Sequence, residues 1–209
     1  SDFGVLNTPE TIPYILKTLK NFSKSTNVHI GPISIGMHFN PYGESLVSNK
    51  NKIRLEMADS DPRHDQLFSL TWTLAIFIQS INKESKFFTF NSIYGHHGIL
   101  NKDNTKRPLY HLNNFLISLT NSEIFKFNPV NEVYGLKIVL NDKKYYLFVN
   151  SSKQKKEIII PEINFSNQYK LNLNNYTDIF NNDFSFFNFK NDTSPYTFEP
   201  LEIKFIEDK

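Results

Sequence analysis

The chain has 209 residues, of which 39% are hydrophobic, and this is enough for one compact domain or two small ones. Its formal net charge is only +2, with thinly spread lysines, so the basic surface expected of a nucleic-acid binder is absent. There is no cysteine, which excludes disulfides and thiolate sites, and no apolar run approaches the roughly 18 residues of a membrane span. We therefore expect a cytoplasmic protein that binds neither nucleic acid nor membrane.

The first half alternates helix and strand. Thr8 and Pro9 are typical of a helix start, and apolar residues continue at helical spacing to Phe22. A nearly continuous apolar run over residues 28–35 predicts a buried parallel strand. A helix over residues 62–82 follows, with an apolar stripe at helical spacing formed by Leu67, Leu70, Leu74, Phe77, Ile78 and Ile81. A strand over 86–93 and a helix over 108–120 come next. This order is typical of an α/β barrel or a doubly wound sheet.

The second half changes to a period of two. Strands predicted over residues 133–140 and 144–150 flank an Asn-Asp-Lys turn, which indicates a hairpin. Further strands are predicted over residues 157–161, 169–173, 184–189 and 201–206. Short alternating strands with Asn- and Asp-rich turns favour an antiparallel β-sandwich. We expect one domain over residues 1–122 and a β-sandwich domain over residues 123–209.

A polar loop between the first strand and the second helix holds most of the candidate chemistry. Polar groups that follow the carboxyl end of a buried strand are where α/β enzymes keep their sites. The candidates in this loop are His38, Asn40, Tyr42, Glu44, Arg54, Glu56, Asp59, Asp61, Arg63 and His64.

Several of these residues also have a purely structural interpretation. Asp61 and Pro62 fit a helix N-cap and first helical position, and the segment around Asn40 fits an ordinary turn. His96 follows the next strand and would share the same rim. Its neighbour His97 would point away from it, so the pair is a weak metal signal, and we predict no metal and no cofactor. Trp72 is predicted to pack within its helix.

Arg107 precedes Pro108 at the start of the third helix. It could anchor a carboxylate or phosphate at the helix start. A role as a surface cap is favoured.

Five segments of the first half together resemble the D-apionate lactonase family. They are Ile30-Gly31-Pro32, Ser34-Ile35-Gly36-Met37, Asn40-Pro41-Tyr42-Gly43, Met57-Ala58 with Asp61-Pro62-Arg63, and Arg107-Pro108-Leu109-Tyr110-His111. The resemblance covers roughly residues 1 to 120. It implies the C-terminal part of a TIM (β/α)8 barrel related to clan-A glycoside hydrolases, followed by a C-terminal β-domain. It also implies that the upstream barrel segment is missing from this chain, which starts at Ser1.

The activity that the resemblance implies is hydrolysis of a sugar-acid lactone, D-apionolactone, to the open acid. Such a reaction needs a base and donors for the developing oxyanion. We predict catalytic roles for Asp59, His64 and Arg63. We predict substrate contacts for His38, Asn40, Tyr42 and His96, with a small carbohydrate or lactone as the substrate.

The chain departs from the family pattern in three places. The resemblance leads us to expect Arg in place of His38, Gln in place of His64, and a different Gly-rich segment in place of residues 95–98. These departures bear on contacts to the substrate.

Two other functions stay open from the sequence. A clan-A glycosidase would need two flanking carboxylates, but the strand over residues 28–35 ends at Gly36 with no carboxylate, and Glu44 is the first one after it. A carbohydrate-binding module without chemistry would fit the aromatic-rich second half, although Phe outnumbers Tyr and Trp there.

Overall fold

The structure, a computed structural model, describes residues 14, 17, 28–35, 50–51, 61–81, 85–159, 163, 165–177 and 196–208. The helix predicted at the start of the chain is described only at Tyr14 and Lys17, which are both helical and exposed. The strand predicted over residues 184–189 lies outside the described residues.

Two parallel strands and a connecting helix form the first unit. β1 (Val28–Ile33) pairs in parallel with β2 (Ser85–Phe90), and α1 (Leu67–Ser80) lies between them in the chain. Parallel neighbours require such a crossover. Gly31 allows the two strands to approach, because its φ is +146° and a Cβ there would lie 2.5 Å from the Thr89 carbonyl oxygen. The predicted strand–helix–strand order is confirmed.

The helix predicted over residues 62–82 is divided in two. A 3-10 helix (Pro62–Asp65) precedes α1, and Gln66 between them is extended, with φ −116° and ψ 164°. Asp61 caps the 3-10 helix as predicted, since its side chain accepts a 2.9 Å hydrogen bond from the backbone N–H two residues on. His64 therefore lies before α1 and not in its first turn.

α1 is buried on all sides, whereas the sequence predicted a single apolar stripe. Every residue of α1 except Phe77 is buried, because both faces of the helix pack against other elements. The face opposite the predicted stripe forms a small cluster with the end of β1, composed of Ile35, Phe68, Trp72 and Ile76. α1 has 14 residues. In the described part of the chain, no helix is long and apolar enough to cross a membrane.

The second half is dominated by a five-stranded antiparallel sheet. After α2 (Pro108–Ser118), the strands of this sheet are β3 (Glu123–Lys126), β4 (Val133–Leu140), β5 (Lys143–Asn150), β7 (Phe165–Leu171) and β9 (Ile203–Asp208). They lie side by side in the order β3-β4-β5-β9-β7. Among the described residues, β6 (Lys156–Glu157) and β8 (Thr197–Phe198) form a separate antiparallel pair.

The predicted hairpin between β4 and β5 is confirmed. Leu140 pairs with Lys143, so Asn141 and Asp142 form a two-residue turn. Their φ angles are 51° and 63°, in the left-handed region that a type I′ turn requires. Asn and Asp adopt this region more readily than most residues, which is why the signal was visible in the sequence.

The other predicted strands agree in place and differ in length. β7 begins four residues before the predicted residue 169, and β9 extends to Asp208 instead of ending at residue 206. β6 covers only the start of the strand predicted over residues 157–161. β3 and β8 were not predicted; β3 is largely exposed and carries no alternating apolar pattern.

One hydrophobic core continues from the helices into the antiparallel sheet. It contains side chains of α1 and α2 together with strand residues such as Tyr134, Leu136, Leu147, Ile203 and Phe205. The opposite face of the sheet packs against the β6–β8 segment through Val133, Tyr146, Phe148, Ile158, Ile163, Phe198 and Ile206. The predicted division of the chain after residue 122 stays a prediction, and the shared core shows that the two halves are packed together.

Candidate functional site

The carboxyl ends of β1 and β2 meet at one edge of the parallel pair. The backbone N–H of Asn91, directly after β2, donates to the Ile33 carbonyl at 3.2 Å. The ring Nδ1 of His97 lies 3.1 Å from the Ile35 carbonyl oxygen. These contacts hold the loop over residues 91–107 against the end of β1. This is the edge at which α/β folds bind ligands.

His64 is buried beside this loop in a fixed tautomer. Its Nε2 lies 3.1 Å from the Gly98 carbonyl oxygen, and its ring centroid is 6.4 Å from that of His97. A carbonyl oxygen only accepts, so Nε2 carries the proton of the neutral ring and Nδ1 carries a lone pair. Nδ1 is buried and makes no hydrogen bond in the part of the chain that the structure describes.

The surroundings of His64 favour its neutral form. Burial lowers the pKa of His64, and the charge of Arg107 lowers it further, against the opposing effects of the Gly98 hydrogen bond and the Asp65 carboxylate. The imidazole is therefore unprotonated at neutral pH. A neutral imidazole with a free lone pair is the form that acts as a general base.

Arg107 holds the loop in shape. Its Nη1 donates to the carbonyls of His96 at 3.3 Å and Gly98 at 3.2 Å, and its Nε donates to Asn101 Oδ1 at 2.7 Å. Nε also lies 3.2 Å from the Asp65 carboxylate, and the Arg107 side chain is only 12% exposed. Arg107 is the N-cap residue of α2, as predicted, but its side chain makes no capping hydrogen bond. The predicted surface position was wrong, because the guanidinium is largely buried.

The same loop contains a tight turn that requires glycine. The Gly98 N–H donates to the Gly95 carbonyl at 2.9 Å. A Cβ on Gly98 would lie 2.6 Å from the Tyr94 carbonyl carbon, so no larger residue fits without moving the backbone. This turn aims the Gly98 carbonyl at both His64 and Arg107.

Asn91 is another buried polar group at this edge. It is 8% exposed and adopts φ 58°, in the left-handed region. Neither polar atom of its side-chain amide makes a hydrogen bond in the described part of the chain. Buried amides without partners are costly, so a water or a ligand at this edge would be stabilised by it.

Arg63 forms a bidentate ion pair with Asp61. Its Nε and Nη2 lie 2.9 Å and 2.6 Å from the two carboxylate oxygens of Asp61, and the guanidinium lies 5.6 Å from the centroid of the Phe68 ring. The hydrogen bonds from Arg63 hold the pKa of Asp61 below its usual value. This bidentate pair fixes the turn that carries His64.

Two cavities flank Arg107. The larger, of about 460 Å³, is lined by Gly95, His96, Asn101, Lys102, Asp103 and Arg107. The smaller, of about 310 Å³, is lined by Asp65, Asn101, Lys106, Arg107, Pro108, Tyr176 and Thr177. Both are therefore walled by the loop that follows β2.

The structure describes three of the seven predicted site residues: Arg63, His64 and His96. His96 belongs to the loop over residues 91–107, and the His64 ring contacts the Gly98 carbonyl of the same loop. Arg107 donates to the backbone carbonyls of both His96 and Gly98. The other four residues, His38, Asn40, Tyr42 and Asp59, lie outside the described residues and stay predictions.

Sequence reasoning underrated His97, Arg107 and Asn91. The hydrogen bonds of all three depend on the course of the loop backbone, which no spacing pattern reveals. Adjacent histidines at a strand end were a usable signal, and it is the His97 ring that contacts the Ile35 carbonyl oxygen just after β1. Among the described residues, no group of three or more His, Asp or Glu side chains is arranged to hold a metal ion.

Comparison with protein families gives a match over the first half of the chain. The family model described as "D-apionate lactonase, TIM barrel domain" matches residues 1–121. The curated D-apionate lactonase of Brucella anthropi is 31% identical over 115 residues, which are 52% of this chain and 19% of that protein. The aligned segment thus spans about a fifth of the relative's length.

Solved structures give weaker similarity. A GH30 endoxylanase from Clostridium papyrosolvens C71 aligns with a TM-score of 0.46 and 9% identity, covering 69% of this chain and 39% of that one. The GH30 subfamily 8 xylanase Xyn30A from Clostridium acetobutylicum aligns with a TM-score of 0.45 and 10% identity, covering 69% and 40%. Similarity at this level supports no conclusion about fold or activity.

Proposed function

This chain belongs to the D-apionate lactonase TIM-barrel domain family, and from that premise we propose that the protein hydrolyses a sugar-acid lactone, D-apionolactone, to D-apionate in carbohydrate catabolism. The observation that supports it best is the buried, neutral His64 at the carboxyl edge of the parallel strands. A carboxylic-ester hydrolase needs such a base to activate water.

His64 is the proposed general base. Its Nε2 proton is committed to the Gly98 carbonyl, so the Nδ1 lone pair accepts the proton from the attacking water. The water oxygen forms a bond to the lactone carbonyl carbon. The ring ester C–O bond then breaks, and the proton held on Nδ1 passes to the alkoxide that leaves. The product is the open hydroxy acid.

The remaining predicted residues complete the proposal. Asp59 would assist the base, and Arg63 would donate to the developing oxyanion. His38, Asn40, Tyr42 and His96 would contact the substrate hydroxyl groups. Arg63 shares its charge with Asp61, which limits how far it can act on a substrate and makes its role open to a direct test.

The finer architecture is also part of the proposal. β1 and β2 would be neighbouring strands in the C-terminal part of a TIM (β/α)8 barrel, since they pair in parallel around a connecting helix. The five-stranded sheet would be one layer of a β-sandwich, because its outer face is covered by β6 and β8. A cytoplasmic location fits the absence of cysteine.

Titration of acid release from D-apionolactone by the full-length protein tests this function. The rate is corrected for spontaneous hydrolysis, and D-glucono-1,5-lactone and an aryl β-xyloside serve as comparison substrates. We expect acid release from D-apionolactone at least a hundredfold above the buffer rate. Cleavage of the xyloside without lactone hydrolysis would show a glycosidase, and binding without any turnover would show a carbohydrate-binding module. Either result overturns the proposal.

A further inference from the structure

The larger cavity beside Arg107 is lined by residues of a single loop, and all of them except Gly95 have charged or polar side chains. It has a volume of about 460 Å³ and lies between β2 and α2. Ligand pockets in proteins typically measure about 300–1,000 Å³, so a small organic molecule fits this one. Gly95 leaves part of the wall open, since a Cβ placed on it would meet nothing within 4 Å.

The cationic residues Lys102 and Arg107 line this cavity, and each has hydrogen-bond donors that no described residue uses. Arg107 uses Nη1 and Nε for the loop and Asp65, while its Nη2 donates no hydrogen bond to any described residue. Lys102 makes neither a hydrogen bond nor an ion pair in the described part of the chain. A carboxylate placed between the two would gain charge-assisted hydrogen bonds from both.

The third charged group of the cavity is a carboxylate. Asp103 accepts hydrogen bonds on Oδ1 from the Thr105 N–H at 3.0 Å and the Thr105 hydroxyl at 2.7 Å. These bonds hold the pKa of Asp103 below its usual value, so it is ionised at neutral pH. Its Oδ2 has no hydrogen-bond partner among the described residues and can accept from a ligand hydroxyl.

We propose that this cavity binds a hydroxylated carboxylic acid, with the carboxylate on Lys102 and Arg107 and a hydroxyl group donated to Asp103. The charges select this class of ligand. A neutral polyol would leave Lys102 and the Nη2 of Arg107 without an anionic partner in the cavity, and an inorganic phosphate would bring a second negative charge against Asp103. The inference rests on the proposed function, because the product of lactone hydrolysis is such an acid.

Calorimetric titration of the full-length protein with D-apionate tests the site, with its neutral polyol counterpart, acetate and inorganic phosphate as comparison ligands. Lys102→Met should weaken D-apionate binding at least tenfold. Asp103→Asn should remove the preference for D-apionate over acetate. Lys106→Met is the matched control, because Lys106 lies on the same loop but over the Tyr110 ring, 5.0 Å from its centroid, and lines the other cavity. It should change binding less than twofold.

The outcomes separate the site from the function. Unchanged binding by Lys102→Met, or tighter binding of phosphate than of D-apionate, overturns the site even if the lactone is hydrolysed. Binding of D-apionate that depends on Lys102, in a protein that does not hydrolyse the lactone, supports the site and overturns the proposed function.

Discussion

The hydroxyl group of Tyr176 donates a 2.6 Å hydrogen bond to the backbone carbonyl of Asp65. Tyr176 follows β7 in the antiparallel half, whereas Asp65 ends the 3-10 helix that carries His64. Burial raises the pKa of Tyr176, so the phenol stays protonated and donates throughout the usual pH range. The second half of the chain thus fixes the backbone next to the proposed base.

Tyr176→Phe should therefore weaken both stability and catalysis. We expect the free energy of unfolding to fall by about 1 kcal/mol, the usual net value of one hydrogen bond. The kcat for the lactone should fall several-fold with little change in KM, since the loss acts on the position of His64. Urea denaturation and steady-state kinetics measure the two effects.

Tyr169→Phe is the control for Tyr176→Phe. Tyr169 also lies on the antiparallel half and packs against the core beside Phe205, with ring centroids 6.5 Å apart. Its hydroxyl has no contact with the 3-10 helix, so kcat should stay within twofold. Equal kinetic effects of both substitutions would contradict a specific role for Tyr176.

His64→Gln removes the proposed base but can keep the hydrogen bond to the Gly98 carbonyl. Glutamine still has an N–H donor for this bond but has no basic lone pair. Because the family resemblance leads us to expect glutamine at this position, the variant tests whether this chain takes its base from a residue that departs from the family pattern. We expect kcat to fall at least a hundredfold, the lower range for loss of a general base. Activity within threefold of the natural protein would show that His64 only supports the loop. His111→Asn, on α2, is the matched control and should leave kcat unchanged.

The pH dependence of His64 has a definite sign. Its pKa is lowered in the folded protein, so the acid limb of kcat/KM should lie below about pH 6.5, the value of an unperturbed histidine. Stability should also fall as the pH drops below about 6.5, because the unfolded chain binds a proton that the folded chain excludes. Urea denaturation at pH 5.5 and 7.5 measures this change. It should shrink in His64→Gln, and an unchanged pH dependence there would assign it to other groups.

The sequence predicted the helices and strands better than the burial of their side chains. The turn at Asn141 and Asp142 was visible because these residues tolerate left-handed backbone. The burial of α1 on all sides was not visible in the sequence. Apolar residues at helical spacing also occur in helices with only one buried face, so the pattern does not distinguish the two cases. Phe68 and Ile76 lie off the predicted stripe, and only the presence of two neighbouring layers explains why they are buried.

The position of His64 was predictable from the sequence, but its contacts were not. Its place past the first strand indicated the carboxyl edge of the parallel strands, and the structure places the ring against the loop that follows β2. The tautomer of His64 and the burial of Arg107 depend on the direction of the Gly98 carbonyl, which tertiary structure alone determines. The hydrogen bond from Tyr176 connects residues 111 positions apart, and no local pattern contains such a contact.

The pair of Arg63 and Asp61 allows a test of whether Arg63 acts on the substrate. Asp61→Ala should lower the free energy of unfolding by about 1 kcal/mol through loss of the N-cap, with a limited effect on kcat. If Arg63 donates to the oxyanion as proposed, Arg63→Ala should lower kcat at least tenfold more than Asp61→Ala does. Steady-state kinetics and urea denaturation of both variants give the comparison. Equal losses would show that the pair only holds the turn.

A buried ion pair supports the antiparallel half. Glu202 and Lys204 are each 1% exposed, and the Lys204 Nζ lies 3.9 Å from Glu202 Oε2 and 4.9 Å from the centroid of the Phe198 ring. Glu202 also accepts hydrogen bonds from the Asn172 amide at 3.0 Å and from the Glu199 N–H at 2.9 Å. Burial nevertheless raises the pKa of Glu202, so its charge depends on these partners.

Removal of Lys204 alone should therefore be costly. Lys204→Met leaves the Glu202 charge without its cation, and we expect the free energy of unfolding to fall by about 3 kcal/mol at pH 7. Because the pKa of Glu202 is raised in the folded state, this loss should shrink as the pH falls towards 4.5 and the carboxyl group takes up a proton. The double variant Glu202→Gln/Lys204→Met should regain part of the stability, as seen by urea denaturation. A double variant less stable than Lys204→Met would show that Glu202 stabilises the fold through Asn172 and Glu199 and not through Lys204.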